Sequence, residues 1–165
     1  MRRKFTPNQY YIDGDTAELI LTDQSGRATG HAVIDIDDLG PALAAGRWFL
    51  DSGYARTSSG MTLHRLIMGD PSGIQVDHIN HDRLDCRRSN LRLCTIAENS
   101  RNKSGARPES RSGIRNLTWV ASRRRWRVKV KAGGREHHIG YFRTQEEAEA
   151  AARDARQRLH GEFAS

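Results

Sequence analysis

Val76-Asp77-His78-Ile79-Asn80-His81-Asp82-Arg83-Leu84-Asp85-Cys86-Arg87-Arg88-Ser89-Asn90-Leu91-Arg92-Leu93-Cys94-Thr95 is the stretch that decides the fold of this 165-residue chain. Val76 leads into an adjacent acid and imidazole, and Leu91-Arg92-Leu93 alternates as a short strand does. Thr95 followed by Glu98 has the spacing of a capping box, which predicts a helix carrying Asn99 and Asn102. The stretch therefore reads as strand, loop, strand, helix. Polar residues stand at the strand end, in the loop and on the helix. With His64 just upstream, residues 63–103 concentrate His, Asp and Asn in a way the preceding region does not.

That concentration has a chemical meaning. His78 lies beside Asp77, twelve residues before Asn90 and twenty-one before Asn99. A neutral imidazole takes a proton from water near neutral pH, which Lys and Arg do not readily do. Asp77 and Asn99 offer hard oxygen ligands, which favour Mg²⁺ or Mn²⁺ over zinc. One such ion can polarise a phosphodiester and neutralise charge on its leaving oxygen. Taken singly, each Asn is better explained as a turn or cap residue, and His81, Asp82 and Asp85 as loop residues.

Upstream, Leu19-Ile20-Leu21 and Ala32-Val33-Ile34 are brief apolar runs separated by Asp23-Gln24-Ser25-Gly26, a turn signal. The segment from Asp37 to Ala45, closed by Gly46, predicts a short helix packed on the strands by Trp48 and Phe49. Nothing in this stretch looks chemical by itself. Downstream, 103–111 is a basic, Ser-, Gly- and Pro-containing linker. In Arg125-Trp126-Arg127-Val128-Lys129-Val130-Lys131 every odd position is basic and every even one apolar, the pattern of a half-buried strand. Gly133-Gly134 marks a hairpin turn and Arg135–Phe142 a returning strand. Thr144 with Glu147 caps a final helix, whose apolar stripe is Ala148, Ala151, Ala152, Ala155 and Leu159.

The net charge of +7 is unevenly spread. Residues 1–100 carry eleven Lys/Arg against thirteen Asp/Glu, residues 101–143 thirteen against two, and residues 144–165 three against five. A cationic block of this kind suits a polyanion. It lacks the basic amphipathic helix of a membrane-surface segment. No run of about 18 apolar residues exists to cross a membrane, and the basic N-terminus has no apolar stretch behind it to make a signal peptide. Cys86 and Cys94 are too few for a disulfide framework, and read as reduced thiols of an intracellular protein. Zinc bound by these two with His64 or His81 is the lesser alternative.

The residues Leu63-His64-Arg65-Leu66, Val76-Asp77-His78-Ile79-Asn80, Asp85, Asn90-Leu91-Arg92, Thr95 and Asn99 to Asn102 resemble the HNH endonucleases, closest to the phage and intron-encoded homing type. The resemblance implies a ββα-metal core over about 63–102, within a domain of 1–102 whose N-terminal part is a β-rich extension. It implies that His78 is the general base, that Asn90 orients the base or its loop, and that Asp77 and Asn99 hold one divalent ion, Mg²⁺ or Mn²⁺. His64 would be structural or touch phosphate. Three positions depart from the family pattern: Asn99 stands in place of the third His, as in the homing branch, His81 where Gly is usual, and Cys86 where Asn is usual. The last two point to loop shape rather than catalysis.

Residues 112–165 resemble the AP2 DNA-binding domain, a three-stranded antiparallel sheet on one helix. The matching residues are Ser112-Gly113, Trp119, the Trp126 strand, Ile139-Gly140-Tyr141-Phe142, Glu146-Glu147-Ala148 and His160-Gly161-Glu162-Phe163-Ala164. Asn116 replaces a usual Gly and Ala151 a frequent Tyr. The resemblance implies that Arg127, Lys129 and Lys131, already on one face by parity, approach double-stranded DNA, with Arg115 and Thr118 on the first strand and His138 on the third as lesser contacts. Trp119 and Trp126 are expected in the core.

Together these readings give an α+β protein: a metal-dependent DNA endonuclease of phage or mobile-element origin, acting in the host cytoplasm and guided by an AP2-like module. A catalytically silent DNA-binding regulator is the alternative. One site per chain fits nicking as a monomer or double-strand cleavage as a dimer.

Overall fold

The computed structural model describes residues 6–101 and 112–163. The linker expected at 103–111, together with Asn102, lies outside them. The chain is mixed α/β and divides into two compact units, Met1–Thr95 and Ile96–Ser165.

In the first unit, β1 (Tyr10–Asp13), β2 (Thr16–Thr22) and β3 (Ala28–Asp35) form an antiparallel sheet in that order. The turn between β2 and β3 is fixed by Asp23, whose Oδ1 accepts from the backbone N–H of Ser25 at 2.9 Å and of Arg27 at 3.0 Å. Ala17, Leu19 and Leu21 on β2 and Ala32 and Ile34 on β3 are fully buried, as a period of two requires. The expected helix forms as a short 3-10 turn (Ile36–Asp38) followed by α1 (Leu39–Ala45). Trp48, fully buried, opens the hairpin β4 (Trp48–Asp51) and β5 (Tyr54–Thr57), and its indole N–H donates to the carbonyl of Ala42 on α1 at 2.9 Å. Asn8 ties these parts together: its amide donates to the carbonyls of Ile20 and Trp48 and accepts from the N–H of Trp48, each bond within 2.8 Å. After the one-turn helix α2 (Leu63–Ile67) come β6 (Gln75–His78) and β7 (Leu91–Cys94), an antiparallel pair in which Asp77 faces Arg92 and His78 faces Leu91.

The second unit begins with α3 (Ile96–Arg101), the helix that carries Asn99. The sequence reading groups this helix with the nuclease core. By compactness α3 falls with the second unit, where it lies against the Gly161–Phe163 turn. Three antiparallel strands follow, β8 (Leu117–Val120), β9 (Arg125–Ala132) and β10 (Arg135–Phe142), with β9 in the middle. Val128, Val130 and Ala132 point inward. They meet α4 (Gln145–His160), whose Ala148, Ala152 and Ala155 are buried and small enough for close approach. The Thr144–Glu147 capping box closes the N-terminus of α4 as the sequence predicts. Asn116 adopts φ +69°, a left-handed conformation that Asn tolerates better than most residues, and its side chain donates to the carbonyl of Lys129 at 2.9 Å. The Gly-to-Asn departure thus keeps the required backbone and adds a clasp on β9.

Candidate active site and nucleic-acid interface

Asp77 and His78 end β6, and the chain then makes a loop back to β7. Strand alternation sends their side chains to opposite faces, and both are buried. His81 turns the loop with φ +67°, filling a left-handed position that suits Gly, and its N–H donates to the carbonyl of His78 at 3.1 Å. Asn90 binds the loop from within. Its Nδ2 donates to the carbonyl of Asp85 at 2.7 Å, its Oδ1 accepts from the N–H of Asn80 at 3.0 Å, and its carbonyl accepts from Ile79 at 2.9 Å. These three bonds hold the loop. Replacing Asn90 with Ala strands the buried carbonyl of Asp85, at about 1–3 kcal/mol, and frees the part-buried N–H of Asn80 at a smaller cost. A loss of that size is expected in urea unfolding, and a change below about 0.5 kcal/mol would show the clamp to be dispensable.

The loop is also held from outside. Val33 on β3 donates to the carbonyl of Leu84 and accepts from the N–H of Cys86, both at 2.8 Å. The β-rich extension is therefore the frame on which the loop is set. It also supplies a wall: Tyr54 on β5 packs 5.2 Å from the ring of His64 and 6.2 Å from that of His78, and the two imidazoles lie edge to face at 4.9 Å. Sequence reasoning missed Tyr54, since one tyrosine in a short strand carries no signal of what it will face.

Cys86 is a second surprise. Its sulfur lies 3.9 Å from His78 Nε2, so it touches the candidate base and does more than shape the loop. Burial pushes this thiol up to about 12, and the carboxylates of Asp85 and Asp82 push the same way. A neutral thiol of this kind is a wall and not a nucleophile. Burial lowers His78 below its ordinary 6.5, against the opposing pull of Asp77, Asp82 and Asp85. Burial and the neighbouring His78 take His64 down to about 4. Both imidazoles are neutral at neutral pH, the form in which His78 can accept a proton.

Asp77 faces Arg92 across the hairpin. Arg92 Nε and Nη2 both donate to Asp77 Oδ2, at 2.9 and 2.8 Å, and little of either side chain is exposed. Asn99, the other expected metal ligand, lies on α3 in the second unit.

On the second unit, cross-strand register places Thr118, Arg127 and Tyr141 in one row, Lys129 opposite His138, and Lys131 opposite Glu136. Thr118, Arg127, Lys129, Lys131 and His138 therefore share the face away from Val128 and Val130. Lys129 is ion-paired with Glu136. Arg127 Nε makes no hydrogen bond to any described residue. Arg115 departs from expectation: β8 starts at Leu117, so Arg115 lies in the preceding turn, half-buried, where it repels Arg156 of α4. Trp126 packs on the core as expected. Trp119 meets it edge to face at 5.2 Å but keeps 38% of its surface exposed, so it fills the core only in part.

Residues 69–101 match the HNH endonuclease family. Over 149 residues, 85% of this chain and 76% of the other, the chain is 34% identical to an uncharacterized HNH endonuclease, L560, of Acanthamoeba polyphaga mimivirus. Over 96 residues, 57% of this chain and 76% of the other, it is 36% identical to protein 3.8 of Escherichia phage T7. No solved structure matches it. The chain belongs to the HNH endonuclease family.

HNH nucleases generally use a divalent metal, and the residues can be tested for one. Among the described residues no three His, Cys, Asp or Glu side chains converge into a cage of the structural-zinc kind. One buried carboxylate at the strand end does fit a hard ion that takes one or two carboxylates and keeps several waters. Among the described residues no helix is long and apolar enough to cross a membrane.

Proposed function

We propose that this chain is a metal-dependent endonuclease acting on double-stranded DNA, with His78 as general base and Asp77 and Asn99 as ligands of one Mg²⁺ or Mn²⁺ ion. The observation that carries the reading is the buried Asp77–His78 pair at the end of β6, on a loop fixed by Asn90 and β3. When bound, the metal neutralises charge on the scissile phosphate and its leaving oxygen. His78 takes a proton from water as the water oxygen bonds to phosphorus and the P–O3′ bond breaks, leaving 5′-phosphate and 3′-hydroxyl ends. Tyr54, His64 and Cys86 hold the imidazole neutral and fixed, so its orientation is settled before DNA arrives. His64, neutral and against Tyr54, acts as support for His78.

Residues 112–165 serve as an AP2-like module that positions the nuclease on the duplex, after a linker at 103–111. The three-stranded sheet on α4 and the shared face of Arg127, Lys129 and Lys131 support this. Thr118 and His138 extend that face, and Arg115 stands aside from it. The T7 relative supports a phage or mobile-element origin, with the host cytoplasm as the place of action.

Supercoiled plasmid tests the reading. Nicking or linearisation is expected with Mg²⁺ or Mn²⁺, and none in EDTA. DNA binding without cleavage in either ion would favour the silent regulator. The interface has its own test in the full chain. Arg127→Ala and Lys131→Ala are each expected to flatten log K against log salt by about 0.9 if they contact phosphate, or to change site preference if they read a base. Lys129→Ala is expected to do less, because Glu136 already neutralises it. Unchanged affinity and preference in the Arg127/Lys129/Lys131 triple variant would remove this face from the interface.

A further inference from the structure

We propose that Arg92 is the resident cation of the Asp77 carboxylate, and that metal loading at Asp77 exchanges this guanidinium for the divalent ion. The inference rests on the reading of Asp77 as a metal ligand. It starts from register: Asp77 and Arg92 are directly paired residues of β6 and β7, so the hairpin itself sets the guanidinium against the carboxylate. Both N–H donors converge on the single oxygen Oδ2. The side chains keep only 10% and 12% of their surface exposed, so the attraction is weakly screened and the carboxylate cannot be left without a positive partner.

Arginine does not lose its proton in proteins, so its charge can leave Asp77 only by moving the side chain. A divalent ion on the same carboxylate would stand within a few ångströms of that charge, in a region where repulsion between cations is strong. Metal affinity therefore contains the work of displacing Arg92 or of tolerating it. Before loading, the same pair ties the end of β6 to β7.

Removal of Arg92 then has two effects of opposite sign. The metal-free protein loses stability, because a buried carboxylate loses the guanidinium paired with it. The metal binds more tightly, because its competitor is gone. A residue that only oriented Asp77 would act differently, since its loss would weaken both.

The experiment is Mn²⁺ titration by calorimetry on the full chain, for wild type, Arg92→Gln and Asp77→Asn, with melting curves with and without Mn²⁺. Arg92→Gln is expected to melt lower than wild type without metal, to bind Mn²⁺ about ten-fold or more tightly, and to gain more in melting temperature on adding it. Asp77→Asn is expected to lose binding. An Arg92→Gln Kd equal to or weaker than that of wild type, with Asp77→Asn still abolishing binding, overturns the exchange and leaves Asp77 as a ligand. Mn²⁺ binding absent from wild type, or undiminished in Asp77→Asn, overturns the ligand reading and the exchange with it. Should Arg92→Gln not fold, Arg92→Lys keeps the charge but loses the fork. It is expected to tighten Mn²⁺ binding by a smaller factor, and a Kd equal to or weaker than wild type again overturns the proposal.

Discussion

His78→Ala is expected to cut DNA about 10²- to 10⁴-fold more slowly than wild type at saturating Mg²⁺, the usual cost of removing a general base. Its DNA affinity is expected to be unchanged, because the proposed interface lies on the second unit. Its Mn²⁺ affinity is also expected to be retained, because Asp77 keeps its carboxylate and the hairpin register. Some stability is lost, since His78 packs against Tyr54, His64 and Cys86, so rates are compared at a temperature where both proteins are folded.

The pH profile of the wild type carries the same hypothesis further. A base must be neutral, so the rate rises with pH through the pKa of His78 and then levels. Burial places that pKa below the ordinary 6.5, so the plateau is expected to be reached by neutral pH and the midpoint to lie on the acid side of 6.5. Single-turnover nicking rates across about pH 5 to 8.5 read both features. A mutant rate within a few-fold of wild type, or a midpoint above 6.5, would remove His78 from the role.

Acid is expected to weaken the metal-free protein by about 3 kcal/mol through His64 alone, from a shift of 6.5 to about 4 at 1.36 kcal/mol per pH unit. The sign follows from the direction of the shift. In the unfolded chain His64 takes its proton as pH falls through about 6.5, whereas in the folded chain burial and His78 keep it neutral until about 4. Between these values the unfolded state binds more protons, so stability increases with pH. The contribution is complete above about 6.5 and lost as pH falls towards 4. His78 is shifted the same way and adds to the slope. His64→Gln, which cannot titrate here, is expected to flatten the curve over that window. Urea unfolding of the two proteins at several pH values measures the difference, and parallel curves would mean that His64 does not resist protonation in the fold.

The Asp77–His78 dipeptide shows how far local sequence reaches. Asp77 beside His78 is legible because both stand in one strand-ending dipeptide, followed at fixed spacings by Asn90 and Asn99. The parity of Arg127, Lys129 and Lys131 is legible for a related reason, since alternation along one strand needs no knowledge of its neighbours. The Thr144–Glu147 capping box likewise closes within one turn of helix. These features depend on residues a few positions apart, whose relative placement the backbone period dictates.

What surrounds them depends on distant segments. Tyr54 reaches His78 because the β4–β5 hairpin packs beside α2, and Val33 clasps Leu84 and Cys86 because β3 runs along the loop. Cys86 reads as a loop substitution in sequence, yet its sulfur lies on the imidazole because the turn at His81 folds the loop back. Arg92 looks like the polar partner in a Leu-Arg-Leu strand, and only the β6–β7 register turns it into the cation on Asp77. Arg115 reads as a strand residue until the register begins β8 two residues later. The sequence by itself determined which groups carry the chemistry and which strand face is basic, because those follow from residue type and backbone period. The tertiary structure decided which groups touch, and thereby which imidazoles stay neutral and which carboxylate holds a cation, because desolvation and pairing arise only when separate segments pack.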